Sequence, residues 1–257
     1  MWNRTSLLLL IASAFIGMLW AAEDPFVGEW KLNAAKTTLR DEMKVASAGP
    51  NKYTFDFGGD MPETIVIDGT DQPGLAGTTL AVSALGPDSW KVVRKKDGNI
   101  IVTANWKLSA DSNVLSDDFT FVPPNGSATN VKYEYKRTAG KGGFAGTWES
   151  TSAQIDSVFV LQVRPYEQDG LTFIDPQQTK NVKFDGLEHP NRPALSATSS
   201  VSSGRRVDGR TLEVTDKVNG KIVATRQIEL SPDLKTLTMT VHPAGKDKPN
   251  ILVFDRK

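Results

Sequence analysis

The chain has 257 residues, with 30 basic side chains against 30 acidic ones. That balance offers no basic surplus for a nucleic-acid face or for an anionic membrane surface. Cysteine is absent, which excludes a disulfide framework, thiol chemistry and lipid modification of a cysteine.

In chain order, the first segment reads as a leader. Met1-Trp2-Asn3-Arg4 carries one positive charge, Leu7 to Leu19 is apolar, and Trp20-Ala21-Ala22 supplies small residues before Glu23-Asp24. This is the layout of a secretory signal peptide over residues 1–22, so the mature protein is expected to be secreted or periplasmic. The rival reading is an uncleaved anchor. The apolar run is shorter than the roughly 20 residues needed to cross a bilayer, and no second such run follows, so no membrane span is expected after cleavage.

Short alternating runs between Gly, Pro, Asn and Asp clusters then predict strands near Phe26–Asn33, Met43–Ser47, Tyr53–Phe57 and Glu63–Asp68. Others follow near Thr78–Ser83, Ser89–Lys95, Ile100–Leu108, Leu115–Val122 and Val131–Arg137. Ile100, Val102, Ala104, Trp106 and Leu108 read as one inward apolar face. Turns are expected at Gly58-Gly59, Asp97-Gly98 and Pro123-Pro124-Asn125-Gly126. Asn125-Gly126-Ser127 also matches a glycosylation acceptor and is read as a turn. Ala34–Glu42 is expected to form one short helix with Asn33 as its N-cap.

The scheme then repeats. Phe26-Val27-Gly28-Glu29-Trp30 returns as Phe144-Ala145-Gly146-Thr147-Trp148, and Leu108-Ser109-Ala110-Asp111 as Leu230-Ser231-Pro232-Asp233. Tyr135-Lys136-Arg137 returns as Phe254-Asp255-Arg256. A period of about 120 residues marks duplicated domains, since solenoid repeats are far shorter. Second-half strands are expected near Phe144–Ser150, Val158–Arg164, Leu171–Ile174, Asn181–Asp185, Ala194–Ser199, Thr211–Asp216, Lys221–Leu230, Leu234–Val241 and Asn250–Arg256. The chain thus reads as all-β, two tandem antiparallel up-and-down barrels at 23–137 and 144–257, joined by a flexible linker at 138–143.

The repeated Gly-x-Trp on the first strand, with an arginine closing the last, resembles the lipocalin and wider calycin pattern. Phe26 to Asn33 is similar to the opening of lipocalin-like proteins exported by bacteria. The resemblance covers both halves, although each is shorter than a typical member and shows no later family motif. It implies that Trp30 packs across the closed end of its barrel beneath Arg137, and Trp148 beneath Arg256. Gly28 and Gly146 would let the chain approach closely there. These six residues are expected to hold the fold rather than a ligand.

Chemistry-bearing residues are sparse. His189 and His242 are the two histidines, and no set with metal-ligand spacing, phosphate loop or nucleophile motif is visible. No catalytic residue, metal or cofactor is therefore expected. Asp68, Asp71, Glu188 and His189 are the acidic and imidazole groups that a shared rim would need to bring together.

Comparing the halves is more informative. Arg226 falls where the first half has Ala104, and Asp117 interrupts the face of Leu115, Phe119 and Phe121 where the second half has Met239. Arg226 reads either as the grip for an anionic ligand, or as a residue turned outward by a strand slip or bulge, or as a structural partner of Asp216 or Glu213. Asp117 reads likewise, with a neighbouring Lys or Arg as its expected structural partner. Trp90 and Trp106 read as core or as a stacking platform, and their counterparts Leu212 and Ile228 favour core.

Arg226, Trp106 and Asp117 are thus the candidate ligand-binding residues. The function expected is binding of a small, largely apolar ligand, with a carboxylate as one option, inside a barrel. The alternatives are a non-enzymatic envelope module with filled barrels and, less favoured, a hydrolase or isomerase. No protein partner is identified by the sequence.

Overall fold

A computed structural model describes residues 24–57, 62–122, 128–156, 159–176, 178–193 and 200–257. The leader at 1–22, the turns at Gly58-Gly59 and Pro123–Gly126, the Asn125–Ser127 acceptor and the strand at Ala194–Ser199 lie outside the described residues.

The alternating runs become strands throughout. The first is β1 (Gly28–Leu32). It is followed by β2 (Glu42–Gly49), β3 (Lys52–Asp56), β4 (Glu63–Val66), β5 (Gln72–Pro73) and β6 (Thr78–Gly86). Next come β7 (Ser89–Lys96), β8 (Asn99–Leu108), β9 (Val114–Phe121), β10 (Thr129–Ala139) and β11 (Gly146–Ile155). The rest are β12 (Val160–Tyr166), β13 (Gly170–Ile174), β14 (Gln178–Lys183), β15 (His189–Pro190), β16 (Arg192–Pro193), β17 (Ser200–Arg206), β18 (Thr211–Val218), β19 (Lys221–Leu230), β20 (Thr236–Pro243) and β21 (Asn250–Arg256). They form two antiparallel, nearly closed barrels, as the patterning predicts.

The two barrels exchange their first strands. One sheet runs β4-β3-β2-β11-β10-β9-β8-β7-β6-β5, and the other runs β15-β17-β18-β19-β20-β21-β1-β12-β13-β14-β16. Each is a meander in which one Gly-x-Trp strand fills the slot between the last strand and the second. In the first barrel that strand is β11, and in the second it is β1. Sheet boundaries and repeat boundaries therefore differ by one strand on each side.

The expected indole–guanidinium partners are corrected accordingly. Arg137 lies over Trp148 and Arg256 over Trp30, each with its guanidinium carbon 4.1 Å from the ring centroid. The physical reason lies in the short Gly-rich linker. Residues 140–145 are just long enough for a hairpin, so β11 folds back on β10 with Arg137 opposite Trp148. The slot that β1 would take in its own repeat is thereby filled.

The same clasp is built twice. Trp148 Nε1 donates to Phe144 O at 3.0 Å, and Trp30 Nε1 to Phe26 O at 2.9 Å. Arg137 donates to the Ser112, Gly143 and Ala145 carbonyls; Arg256 donates to those of Leu234, Pro25 and Val27. Each arginine thus ties the stretch before the exchanged strand to a turn of the host barrel. Gly28 and Gly146 have φ of +142° and +155°, and a Cβ there would sit 3.1 Å and 2.6 Å from the arginine Nη1. Only glycine combines that backbone with that clearance.

The helix expected at Ala34–Glu42 is absent. Asn33 caps a single turn, accepting from Lys36 N at 3.2 Å, and the chain then extends. Thr38 bridges Ile251, and Arg40 N donates to Asn250 Oδ1 at 2.5 Å. This segment crosses from the second barrel to β2 in the first, and its extended backbone pairs with Ile251 and Asn250 on the way.

Sheet edges meet across a seam in each barrel. Glu63 on β4 pairs with Arg94 on β7 at 2.5 Å, and Lys180 on β14 pairs with Asp216 on β18 at 2.7 Å. Phe55 faces Glu63 as Phe173 faces Lys180, so the two ion pairs occupy equivalent positions with the charges reversed.

The apolar face expected on β8 is also corrected at one end. A bulge at Ile101 turns Ile100 outward, 47% exposed, and buries Ile101. Its counterpart in the second barrel leaves Ile222 52% exposed.

Replacing Trp30 by Ala should destabilise the barrel containing β12–β21 by about 3–5 kcal/mol, as large aromatic deletions in cores do. Hydrogen exchange followed by mass spectrometry should show protection lost in peptides from 160–256 and retained in those from 42–121. Loss confined to the earlier peptides would mean that β1 closes its own repeat.

Candidate ligand-binding site

The first barrel encloses a cavity of about 390 Å³. Met43, Leu80, Val92, Val102, Ala104 and Phe119 supply its apolar wall. Trp106, Asp117, Tyr133 and Tyr135 form a polar side, and Leu39, Arg40, Asp41 and Asn250 stand around the mouth. Three adjacent strands assemble the polar side, because Trp106 on β8 faces Asp117 on β9, which faces Tyr133 on β10. Period-2 alternation aims all three inward.

Two of the three candidate ligand residues, Trp106 and Asp117, meet here. Asp117 is only 6% exposed, and the basic partner expected for it is not found among its interactions. Its Oδ1 has no hydrogen-bond partner among the described residues, and neither has Trp106 Nε1. The indole N–H faces the carboxyl without a well-formed hydrogen bond. Burial pushes the Asp117 carboxyl up to about 7, Trp106 offsets part of this, and the Asp41 and Asp118 charges add to it.

Asp41 is a residue that the sequence reading missed. It lies on the crossing segment, where no periodicity marks an inward position. Tyr135 donates to its Oδ2 at 2.9 Å, and burial raises its pKa. Burial and the two carboxylates hold the Tyr133 and Tyr135 hydroxyls far above the ordinary phenol value, so both stay protonated.

Trp90 belongs to the core. It stacks on Phe144 at 3.8 Å between centroids and meets Tyr53 edge-on at 4.9 Å.

Arg226, the third candidate, lies in the other barrel and is engaged by Asp216. Asp216 also accepts from Lys180 and from Ser202 Oγ. Burial and the Arg226 charge pull the Lys180 ammonium well below its ordinary value. This cluster occupies the level that Ala104 leaves open in the first barrel, since Val214 faces Arg226 as Val92 faces Ala104. The six signature residues Gly28, Trp30, Arg137, Gly146, Trp148 and Arg256 all sit in the clasps, away from this cavity.

Asp68, Asp71, Glu188 and His189 do not converge. Asp68 caps Thr70, Asp71 pairs with Lys95, Glu188 with Lys217, and His189 with Asp185. Another cleft lies beside Asp24, Glu167 and Arg206, where Arg206 pairs with Asp24, Arg205 with Glu213 and Glu167 with Lys183. Among the described residues no helix is long and apolar enough to cross a membrane.

No protein-family model, curated protein or solved structure matches this chain. The cavity must therefore be read from its own chemistry.

The raised Asp117 pKa sets a pH dependence. The folded protein holds that proton more tightly than the unfolded chain, so folding takes up a proton between the ordinary 3.8 and about 7. Stability should fall as pH rises through that window, at about 1.4 kcal/mol per pKa unit for this group. Denaturant melts across pH should show the decline, and Asp117→Asn should flatten most of it, leaving the share due to Asp41. An unchanged slope in the variant would mean that Asp117 titrates normally.

Proposed function

We propose that the protein is an exported lipocalin-like binding protein that holds a small, largely apolar molecule in its first barrel. The observation that carries this reading is the cavity of about 390 Å³, which falls within the roughly 300–1,000 Å³ of small-molecule pockets. Its wall is aliphatic and aromatic, with a few polar groups collected on one side, which is how such pockets combine affinity with orientation. The leader at 1–22 accounts for export in this reading, and residues 23–257 form the mature carrier.

The second barrel serves a structural role. Its interior is crossed by the Lys180–Asp216–Arg226 cluster, and the Arg226 guanidinium is already engaged, which argues against an anion grip there. Filled barrels acting only as an envelope module are disfavoured by the open interior of the first.

Binding can be tested with N-phenyl-1-naphthylamine, an apolar fluorophore whose diaryl nitrogen is uncharged in water. One equivalent should bind with enhanced emission and with energy transfer from the first-barrel tryptophans. Ala104→Phe fills the cavity from its wall and should abolish the signal while raising or preserving the melting temperature. Equal binding by that variant would place the fluorophore elsewhere and remove the basis of the proposal.

A further inference from the structure

We infer that the ligand of the first-barrel cavity is an organic cation, an apolar body bearing an ammonium group that is received by Asp117 and faced by the rings of Trp106 and Tyr133. The inference rests on the binding reading above and adds the charge and chemistry of the ligand.

A census of charge around the cavity supports this. Asp117 and Asp41 both present carboxyl groups to it. Of the cations, Arg94 is consumed at the seam, where it donates to both carboxylate oxygens of Glu63 and to Thr78 Oγ1. Arg40 is exposed at the mouth, where solvent screens it. Lys246 donates to Glu42 O and stands 4.0 Å from Asp41 Oδ1, outside the cavity wall. Asp117 thus stands in the interior without a counter-ion among the described residues, while Asp41 at the mouth has Lys246 beside it.

Asp117 Oδ1 is buried, lines the cavity and has no partner among the described residues. A buried carboxyl in that state is unfavourable unless something donates to it, and a charged donor forms a bond roughly twice as strong as a neutral one. An ammonium entering from the mouth would supply that donor and also neutralise the carboxylate. Trp106 and Tyr133 line the same side of the cavity, and indole and phenol faces attract cations. A carboxylate ligand would instead meet the Asp117 carboxyl, whose ionised form repels it at short range.

The Tyr135 hydroxyl strengthens the asymmetry. It is spent on Asp41 and so offers no free donor for an anionic group. Trp106 Nε1 and the protonated Tyr133 hydroxyl remain, neutral donors that suit an ether, carbonyl or hydroxyl oxygen placed beside the ammonium.

Isothermal titration with three ligands of one skeleton tests the inference: 4-phenylbutylamine, 4-phenylbutanol and 4-phenylbutyrate at neutral pH. The amine should bind about tenfold or more tightly than either analogue, and Asp117→Asn should bring amine and alcohol to similar affinity. Asn preserves shape, and the wild-type series needs no variant at all, so a misfolded mutant would not rescue the idea. Equal or tighter binding of the alcohol or the carboxylate would overturn it, as would an amine preference that persists in Asp117→Asn. If N-phenyl-1-naphthylamine binds and the amine does not, the cavity reading stands and the cationic ligand falls. If neither binds, both fall together.

Discussion

The arginine that grips the strand before each Gly-x-Trp tryptophan is the contact on which the two-barrel arrangement depends. It stacks on the indole and at the same time donates to carbonyls on both sides of the barrel end. Stacking of this kind contributes about 0.5–2 kcal/mol, and the hydrogen bonds satisfy carbonyls that lie outside the strand ladders. Because β1 and β11 carry the same motif, either strand satisfies either clasp. Local chain length then decides: β11 is already beside β10, so β1 must travel to β21. The exchange makes the repeats interdependent, since each barrel is closed by a strand from the other repeat.

Duplication also freed one interior to change. The seam ion pair survives in both barrels with its charges reversed, Glu63–Arg94 against Lys180–Asp216. A reversed pair keeps the same attraction between the same strands, so the seam tolerates it. In the second barrel the acid then stands next to Arg226, and three charged side chains fill the space. In the first, Arg94 and Glu63 satisfy each other and Ala104 leaves the level above them open. One methyl group against one guanidinium separates a cavity from a filled interior.

Much of this was legible in the residues. Alternation marked the strands, recurrence marked the two barrels, and the Ala104/Arg226 and Asp117/Met239 contrasts pointed to the levels where the interiors differ. Partner choice was not legible, because Trp30 with Arg137 and Trp30 with Arg256 are chemically identical pairs. Alternation also fails across a bulge, which is why Ile100 and Ile222 face outward. Asp41 was hidden for another reason. It belongs to an extended crossing segment whose position is set by Ile251 and Asn250 in the other barrel, and nothing local encodes that.

The crossing segment links architecture to chemistry. Leu39, Arg40 and Asp41 stand at the mouth of the first-barrel cavity because β1 is docked in the second barrel and the chain must return. Asn250, from the start of β21, completes the rim. If each repeat closed on itself, β1 would lie beside β2, and the segment between them would be an ordinary connection with no bridge to Ile251. The exchange therefore places a carboxylate and the edge of a second barrel over an opening that one repeat alone would leave bare. The way into the first-barrel cavity thus runs past groups held by the second, so a barrel with a filled interior still shapes the opening of the other.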